Sequence, residues 1–173
     1  ATTNVNAVWL LVNGGLNQTN GSFNLNNVIV NFTYVVATSF ENTTLNFTIR
    51  ANDSAGNTNN GGSILVKVSD NTVPTIALNS PINIFNTSTQ AVTFNFTVTD
   101  NAAPNLTCNI TVAGIVNISG ILAINSTSQA NTSTAFTSDG TRSWNVTCVD
   151  NDQNVNTSAT RSFTVDTVAP VTN

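Results

Sequence analysis

The stretch Val92-Thr93-Phe94-Asn95-Phe96-Thr97-Val98-Thr99-Asp100 alternates apolar and polar side chains along its length. A β-strand places successive side chains on opposite faces, so this alternation predicts a strand with one apolar and one uncharged polar face. The pattern recurs through residues 71–170, with turn-forming residues between the runs. We therefore predict seven short strands there, whose inward residues are Ile76, Leu78, Val92, Phe94, Phe96, Val98, Leu106, Cys108, Ile110, Val112, Ile118, Trp144, Val146, Cys148, Phe163 and Val165.

No stretch shows the 3.6-residue period of an amphipathic helix, so the predicted fold class is all-β, with antiparallel sandwiches. The proline segments 68–74 and 165–170 are near copies, separated by roughly 100 residues, which is the length of one sandwich module. We predict two tandem modules: an incomplete one at 1–70, a complete one at 71–170, and the start of a following linker at 171–173.

An internal alignment supports the repeat and suggests a disulfide. Residues 45–53 align without gaps on residues 144–152, and residues 8–14 align on residues 108–114. Both cysteines then fall opposite aliphatic residues of the first module, Cys108 opposite Val8 and Cys148 opposite Ile49. An apolar pair that replaces a covalent pair indicates two facing positions, so we infer a Cys108–Cys148 bridge, with two buried free thiols as the alternative.

Fifteen Asn-x-Ser/Thr triplets without a central proline predict N-linked glycans and an extracellular, cell-surface location. Chance is one alternative, because the abundant Asn, Ser and Thr would give roughly eight such triplets in random order. Strand alternation is another, since an outer face built of Asn and Thr spells the motif without any glycan. The predicted acceptors are Asn17, Asn20, Asn31, Asn42, Asn46, Asn52, Asn86, Asn95, Asn105, Asn109, Asn117, Asn125, Asn131, Asn145 and Asn156.

Only 7% of the residues are charged, and there are four basic residues and no histidine. Four scattered cations build no basic patch, so we expect no nucleic-acid partner. No apolar run reaches the length of a transmembrane segment. Without histidine, and with isolated acidic residues, no nucleophile and base can be paired, so we expect no enzyme activity.

The chain resembles the tandem Ig-like repeats of prokaryotic, especially archaeal, cell-surface proteins. The segments that carry the resemblance are Asp70 to Pro74, Leu78-Asn79-Ser80-Pro81, the stretch 92–100, the Cys108 strand, residues 144–150 and Phe163-Thr164-Val165-Asp166. The resemblance covers nearly all of residues 70–170 and, more loosely, residues 5–70. It implies a structural role in a stalk, adhesin, surface layer or pilus-like filament, without enzyme activity.

Aligned on the second module, the first lacks its first two strands. The first module is then a fragment or a smaller divergent sandwich, or another chain supplies strands by β-strand addition, with copies of this chain or further repeats as partners. Trp9 and Leu11 make the strand at 7–12 apolar on both faces, which predicts a contact with a partner subunit, the next module or a loop of the same chain.

In an Ig-like topology the loops that carry Asp70, Asp100, Asp150 and Asp152 share one end of the module, so we predict a Ca²⁺ site there. The alternative is that these residues only form turns. The leading functional prediction is a glycosylated structural repeat of a cell-surface filament or stalk. The runner-up is an adhesin or carbohydrate-binding module, for which Phe85 and Phe136 are the loop aromatics that do not follow the inward pattern.

Overall fold

The computed structural model of the chain describes residues 4–20 and 29–171, and its regular elements are thirteen β-strands and one 3-10 turn at Thr38–Phe40. This confirms the all-β fold class. The chain divides into two compact units, Ala1–Asp70 and Asn71–Asn173. Residues 172 and 173 of the predicted linker lie outside the described residues. In the described ranges no helix is long and apolar enough to span a membrane.

The first unit contains a single antiparallel sheet within residues 4–20 and 29–70. Its strands, in spatial order β2-β1-β3-β4, are β1 (Val5–Val12), β2 (Gly15–Asn20), β3 (Thr44–Asp53) and β4 (Thr58–Lys67). A two-residue turn joins β1 to β2, with φ of 51° at Asn13 and 79° at Gly14. Positive φ at both central residues matches the right-handed strand twist, which favours a tight hairpin.

The second unit contains two sheets and nine strands, so the prediction of seven strands is wrong. The strands are β5 (Thr75–Ser80), β6 (Phe85–Thr87), β7 (Thr93–Thr99), β8 (Asn105–Val112), β9 (Ile115–Ile124), β10 (Ser128–Thr132), β11 (Gly140–Val149), β12 (Val155–Thr157) and β13 (Arg161–Val165). One sheet has the order β10-β7-β5, and the other β6-β13-β11-β8-β9, with β12 also on β11. β6 and β12 have three residues each, too few to show an alternating pattern.

The core of the second unit lies between its two sheets. Of the predicted inward residues, Ile76 and Ile118 are half-buried and the others are at most 9% exposed. The Phe94 ring centroid lies 4.9 Å from that of Trp144 and 5.7 Å from that of Phe163. These ring contacts join the β10-β7-β5 sheet to the facing sheet, so the alternation seen in the sequence produces a true sandwich.

Phe136 is not an exposed loop aromatic. It is half-buried, and its ring centroid lies 5.6 Å from that of Phe163 in the core. The guanidinium carbon of Arg142 lies over the Phe136 ring, 4.6 Å from its centroid. A core ring and a cation therefore occupy this side chain, so it is unavailable to stack on a ligand.

The two units share local geometry at corresponding turns. The β8–β9 turn has φ of 50° at Ala113 and 79° at Gly114, close to the values of the β1–β2 turn. After β3, Asp53 Oδ1 accepts from the backbone N–H groups of residues 55 and 57 at 2.9 Å. After β11, Asp150 Oδ1 does the same for residues 152 and 154. Asp53 therefore corresponds to Asp150, and the predicted alignment of residues 45–53 on 144–152 is wrong by two positions. Strand pairing agrees, because Val8 faces Ala51 whereas Cys108 faces Cys148, so Cys148 corresponds to Ala51 and not to Ile49.

Candidate functional site

One face of the first unit's sheet is built of apolar side chains, and we call it the apolar face. Its members come from alternate positions of β1, β3 and β4, and strand pairing places Leu10 beside Ile49 and Phe47 beside Ile64. The full set is Val8, Leu10, Val12, Leu45, Phe47, Ile49, Ile64 and Val66.

Only part of the apolar face is covered. Val8, Leu10 and Leu45 are less than 10% exposed, whereas Ile64 is 66% exposed. Ile49 and Val66, also on this face, are 39% and 42% exposed. A cavity of about 310 Å³ opens here, lined by Leu10, Val30, Asn31, Phe32, Tyr34, Phe47, Ile49, Gly62 and Ile64. An open apolar surface of this kind indicates an interaction site.

The segment 29–35 lies against the apolar face without belonging to any strand. The Tyr34 ring meets the Phe47 ring edge-on, with centroids 5.4 Å apart. Val30, Phe32 and Tyr34 are half-buried, whereas the residues between them are exposed. This is the burial alternation of a strand, although the segment has no strand partner among the described residues.

In the second unit, the strand that corresponds to this segment is β10, and β10 has a strand partner. With Phe47 aligned on Trp144, as the strand pairing of both units requires, Val30, Phe32 and Tyr34 correspond to Thr127 before β10 and to Gln129 and Asn131 in it. β10 pairs with β7, and Gln129 and Asn131 lie opposite Phe96 and Phe94. In the first unit no counterpart of β5 or β7 occurs within residues 4–20 and 29–70.

Trp9 and Leu11 lie on the opposite face of the first sheet and are half-buried. They line a cavity of about 320 Å³ together with Leu16, Arg50 and Thr58. Trp9 is directly opposite Arg50 on β3. Both residues therefore have local neighbours on their own chain, and the predicted partner contact stays a prediction.

Two cysteines of the second unit form the predicted bridge, although the alignment that suggested it was wrong, because Val8 faces Ala51 and not Ile49. Cys108 on β8 and Cys148 on β11 are directly opposite each other, and the structure joins them in a disulfide. The alternative of two free thiols does not hold. The bridge crosslinks neighbouring strands of one sheet.

The sequon asparagines fall into two groups by exposure. Asn17, Asn31, Asn42, Asn86 and Asn117 are exposed. Nine others are half-buried: Asn46, Asn52, Asn95, Asn105, Asn109, Asn125, Asn131, Asn145 and Asn156. The Asn20 side chain lies outside the described residues.

Strand alternation by itself accounts for several of these triplets. Their middle residues are at most 1% exposed in four cases: Phe96, Leu106, Ile110 and Val146. On the outer faces the uncharged side chains pair across strands, as in the 2.8 Å hydroxyl contact of Thr147 with Thr157. Asn79 Nδ2 likewise donates to Asn95 Oδ1 at 2.7 Å. Glycosylation of any given site therefore stays a prediction.

Two of the four predicted calcium ligands come together within the second unit. Asp100 and Asp150 present carboxylate oxygens within 4.8 Å of each other, and Asp70 is the last residue of the first unit. Asp70 and Asp150 are buried, at 6% and 4% exposure. Asp152 is exposed and does not belong to this group. The structure does not bring Asp152 together with these carboxylates.

The hydrogen bonds of these carboxylates separate a turn role from a ligand role. Both oxygens of Asp150 accept hydrogen bonds from its own loop, including one from Asn154 Nδ2 at 2.8 Å. Asp100 Oδ1 likewise accepts from the N–H groups of Ala102 and Ala103. Asp100 Oδ2, however, is buried with no hydrogen-bond partner within the described ranges. Clustered carboxylate oxygens suit a hard cation such as Ca²⁺, and calcium binding stays a prediction.

No protein-family model and no curated protein matches the chain. Among solved structures, the fibronectin(III)-like modules of Clostridium thermocellum CbhA are 16% identical, with a TM-score of 0.40 over 95% of this chain and 79% of that one. SGBP-B of the Bacteroides ovatus mixed-linkage glucan utilization locus, in complex with a mixed-linkage heptasaccharide, is 15% identical, with a TM-score of 0.28 over 94% of this chain and 39% of that one. At these TM-scores neither structure bears on the function.

Proposed function

We propose that this chain is an extracellular structural protein, a glycosylated repeat subunit of a cell-surface filament or stalk. In this proposal, β-strands from a neighbouring subunit complete its first unit. The single observation that carries the proposal is the open apolar face with the segment 29–35 beside it. Strand addition satisfies the backbone groups of an unpaired segment and buries apolar side chains at the same time.

The second unit supplies the pattern of the missing strands. Its β7 buries Phe94, Phe96 and Val98 and pairs with both β5 and β10. An incoming strand with large apolar residues at alternate positions would pair with the segment 29–35 and cover Ile49 and Ile64. Val30, Phe32 and Tyr34 of that segment already alternate in burial with the residues between them, as they would in a strand paired with such a partner.

Low charge and paired hydroxyl groups suit a protein exposed to the exterior. The outer faces are held by contacts such as Thr93 with Thr132 and Thr141 with Thr164, each at 2.8 Å. These contacts involve no ions, so high salt does not screen them as it screens surface ion pairs. The disulfide adds a covalent restraint that persists in oxidising surroundings.

The test is electron microscopy of native material sheared from cells, imaged before and after boiling in detergent. Uniform filaments that fall to the mass of this chain, 18.1 kDa before glycans, on boiling would support assembly by strand exchange. A single much heavier band with beaded rods would contradict it, because the strands of the first unit would then belong to the same polypeptide. The runner-up, an adhesin or carbohydrate-binding module, gains nothing from Phe136, which packs on the core.

A further inference from the structure

Strand β9 forms an exposed apolar edge on the second unit. It lies at the end of the β6-β13-β11-β8-β9 sheet. Val116, Leu122 and Ile124 are 53%, 67% and 55% exposed, and they pair with outward-facing residues of β8. Ile115 is 73% exposed at the start of the strand. An edge strand with exposed apolar residues recruits other strands unless something blocks it.

A sequon lies within this edge. Asn117 is exposed, and its side chain makes no hydrogen bond to any part of the chain that the structure describes. Asn117 and Ser119 are both exposed, whereas Ile118 between them packs against the core. The amide nitrogen of Asn117 is therefore open to modification next to Val116.

Two other sequons have amide nitrogens that are already committed. Asn125 Nδ2 donates to the backbone oxygens of Asp100 at 2.7 Å and Ala103 at 2.8 Å, which uses both of its N–H groups. Its Oδ1 accepts from the Asp100 N–H at 3.1 Å. Asn156 Nδ2 donates to the backbone oxygen of Pro74 at 2.7 Å. These side chains tie distant loops together.

Glycan attachment is incompatible with the two bonds of Asn125, whereas Asn156 can keep its single bond with the N–H that remains after attachment. The side-chain nitrogen attacks the anomeric carbon of a lipid-phosphate-linked oligosaccharide. The new N–C bond forms as the bond from the anomeric carbon to the phosphate oxygen breaks, the lipid phosphate leaves with the electron pair, and the amide gives up one proton. At Asn125 this removes one of two N–H donors and sets a sugar against Ala103, which is 4% exposed.

We infer that the sequons divide into two roles. Asn117 is a glycan acceptor whose sugar shields the apolar edge β9 from pairing with other strands. Asn125 stays unmodified and holds loops together. This inference rests on the proposed glycosylated exterior, but it does not depend on strand complementation at the apolar face.

The experiment is site-resolved glycopeptide mass spectrometry on the native protein, with two variants made in the same host. Ser119→Ala removes the acceptor motif of Asn117, and Thr127→Ala removes that of Asn125, while both asparagines stay in place. We expect Ser119→Ala to lose the mass of one glycan and to self-associate. A further Leu122→Lys change at the β9 edge should restore the monomer. Thr127→Ala should keep the mass of its glycans.

A second measurement uses protein made without glycans. Asn125→Asp keeps the side-chain acceptor but loses both donors, and it should lower the melting temperature by roughly 5–15 °C. The matched Asn117→Asp change should stay within about 2 °C. A sugar on Asn125, a bare Asn117, or equal melting temperatures for the two variants would overturn the division of roles. Loss of the Asn117 sugar without self-association would overturn the shielding.

If every sequon is bare, the glycoprotein part of the proposed function fails together with this inference. Strand complementation is then still decided by its own test, because Ile64 and the apolar face lie in the other unit.

Discussion

Adjacent residues of β4 offer a matched test of strand addition at the apolar face. Ile64 and Leu65 are 66% and 68% exposed, so the two side chains contribute similarly little to folding. Ile64 pairs with Phe47 and lines the cavity of the apolar face. Leu65 pairs with Asn46 and faces the other way. Truncation of each side chain to alanine therefore changes one face at a time.

The expected effect follows from the surface that remains to be buried. Complete burial of an isoleucine or leucine side chain contributes about 1.5–3 kcal/mol. Two-thirds of Ile64 is still exposed, so an incoming strand gains about 1–2 kcal/mol from covering it. Loss of this gain in Ile64→Ala corresponds to roughly 5- to 30-fold weaker binding. Leu65→Ala should bind within about twofold of the unchanged chain, because a strand on the apolar face does not reach it.

The assay uses the complete chain and a labelled peptide with the sequence of residues 91–100, which includes β7. Fluorescence anisotropy gives the dissociation constant, and hydrogen exchange reports backbone pairing in the segment 29–35. A peptide of the same composition with its apolar residues placed side by side is the control, since it cannot present one apolar face. Slower exchange in 29–35 should appear only with the alternating peptide.

Three results would refute the reasoning. The first is equal weakening by Ile64→Ala and Leu65→Ala, which would mean that binding is not specific to one face. The second is binding without protection of 29–35, which would mean that the segment does not pair with the added strand. The third is no binding of the alternating peptide at all. Melting temperatures of both variants close to that of the unchanged chain would exclude misfolding as the cause.

Removal of the disulfide by Cys108→Ala with Cys148→Ala should lower the free energy of unfolding by about 4 kcal/mol, because the bridge spans a sequence separation of 40. Denaturant unfolding measures this loss, and a value below about 1 kcal/mol would contradict the chain-entropy estimate. Trp144→Phe should lower the free energy of unfolding by less than about 1.5 kcal/mol, because the buried indole N–H has no hydrogen-bond partner in the described ranges to lose. Trp144→Ala should lower it by about 3–5 kcal/mol, because it leaves a cavity in the core. Calcium at about 100 times its dissociation constant should raise the free energy of unfolding by about 2.7 kcal/mol. Asp100→Asn should remove this gain and Asp152→Asn should keep it. Thermal unfolding with calcium or with a chelator measures the gain, and an equal loss in both variants would place the ion elsewhere.

Much of the second unit could be predicted because its information is local. Alternation along residues 92–100 assigns Phe94, Phe96 and Val98 to the core, and the structure buries all three completely. The cysteine pairing was also predicted correctly, but from an alignment that is two residues out of register, because Val8 faces Ala51 and not Ile49. The strand count failed at β6 and β12, where three residues carry no period.

The functional features depended on contacts between distant residues. Asp150 and Asp152 are two positions apart, yet only Asp150 points at Asp100, because the loop after β11 closes on the Asp150 carboxylate. Asn117 and Asn125 carry the same motif, but only folding gives Asn125 two carbonyl partners. A sequon shows that an asparagine has the sequence of a glycan acceptor, but it does not show whether the side-chain amide is hydrogen-bonded in the folded protein.

The sequence by itself determined the fold class and the inward residues of the second unit, because a two-residue period follows directly from residue order. It also indicated the cysteine pair, but only the tertiary structure gave the strand register. Only the tertiary structure decided that Ile49 and Ile64 stay exposed and that the segment 29–35 lies against the same face without a strand partner among the described residues. It also decided that the Asn125 amide is hydrogen-bonded to two carbonyl groups, whereas Asn117 is exposed. Exposure and hydrogen-bond partnership depend on which distant segments come close in space, and no local pattern encodes that.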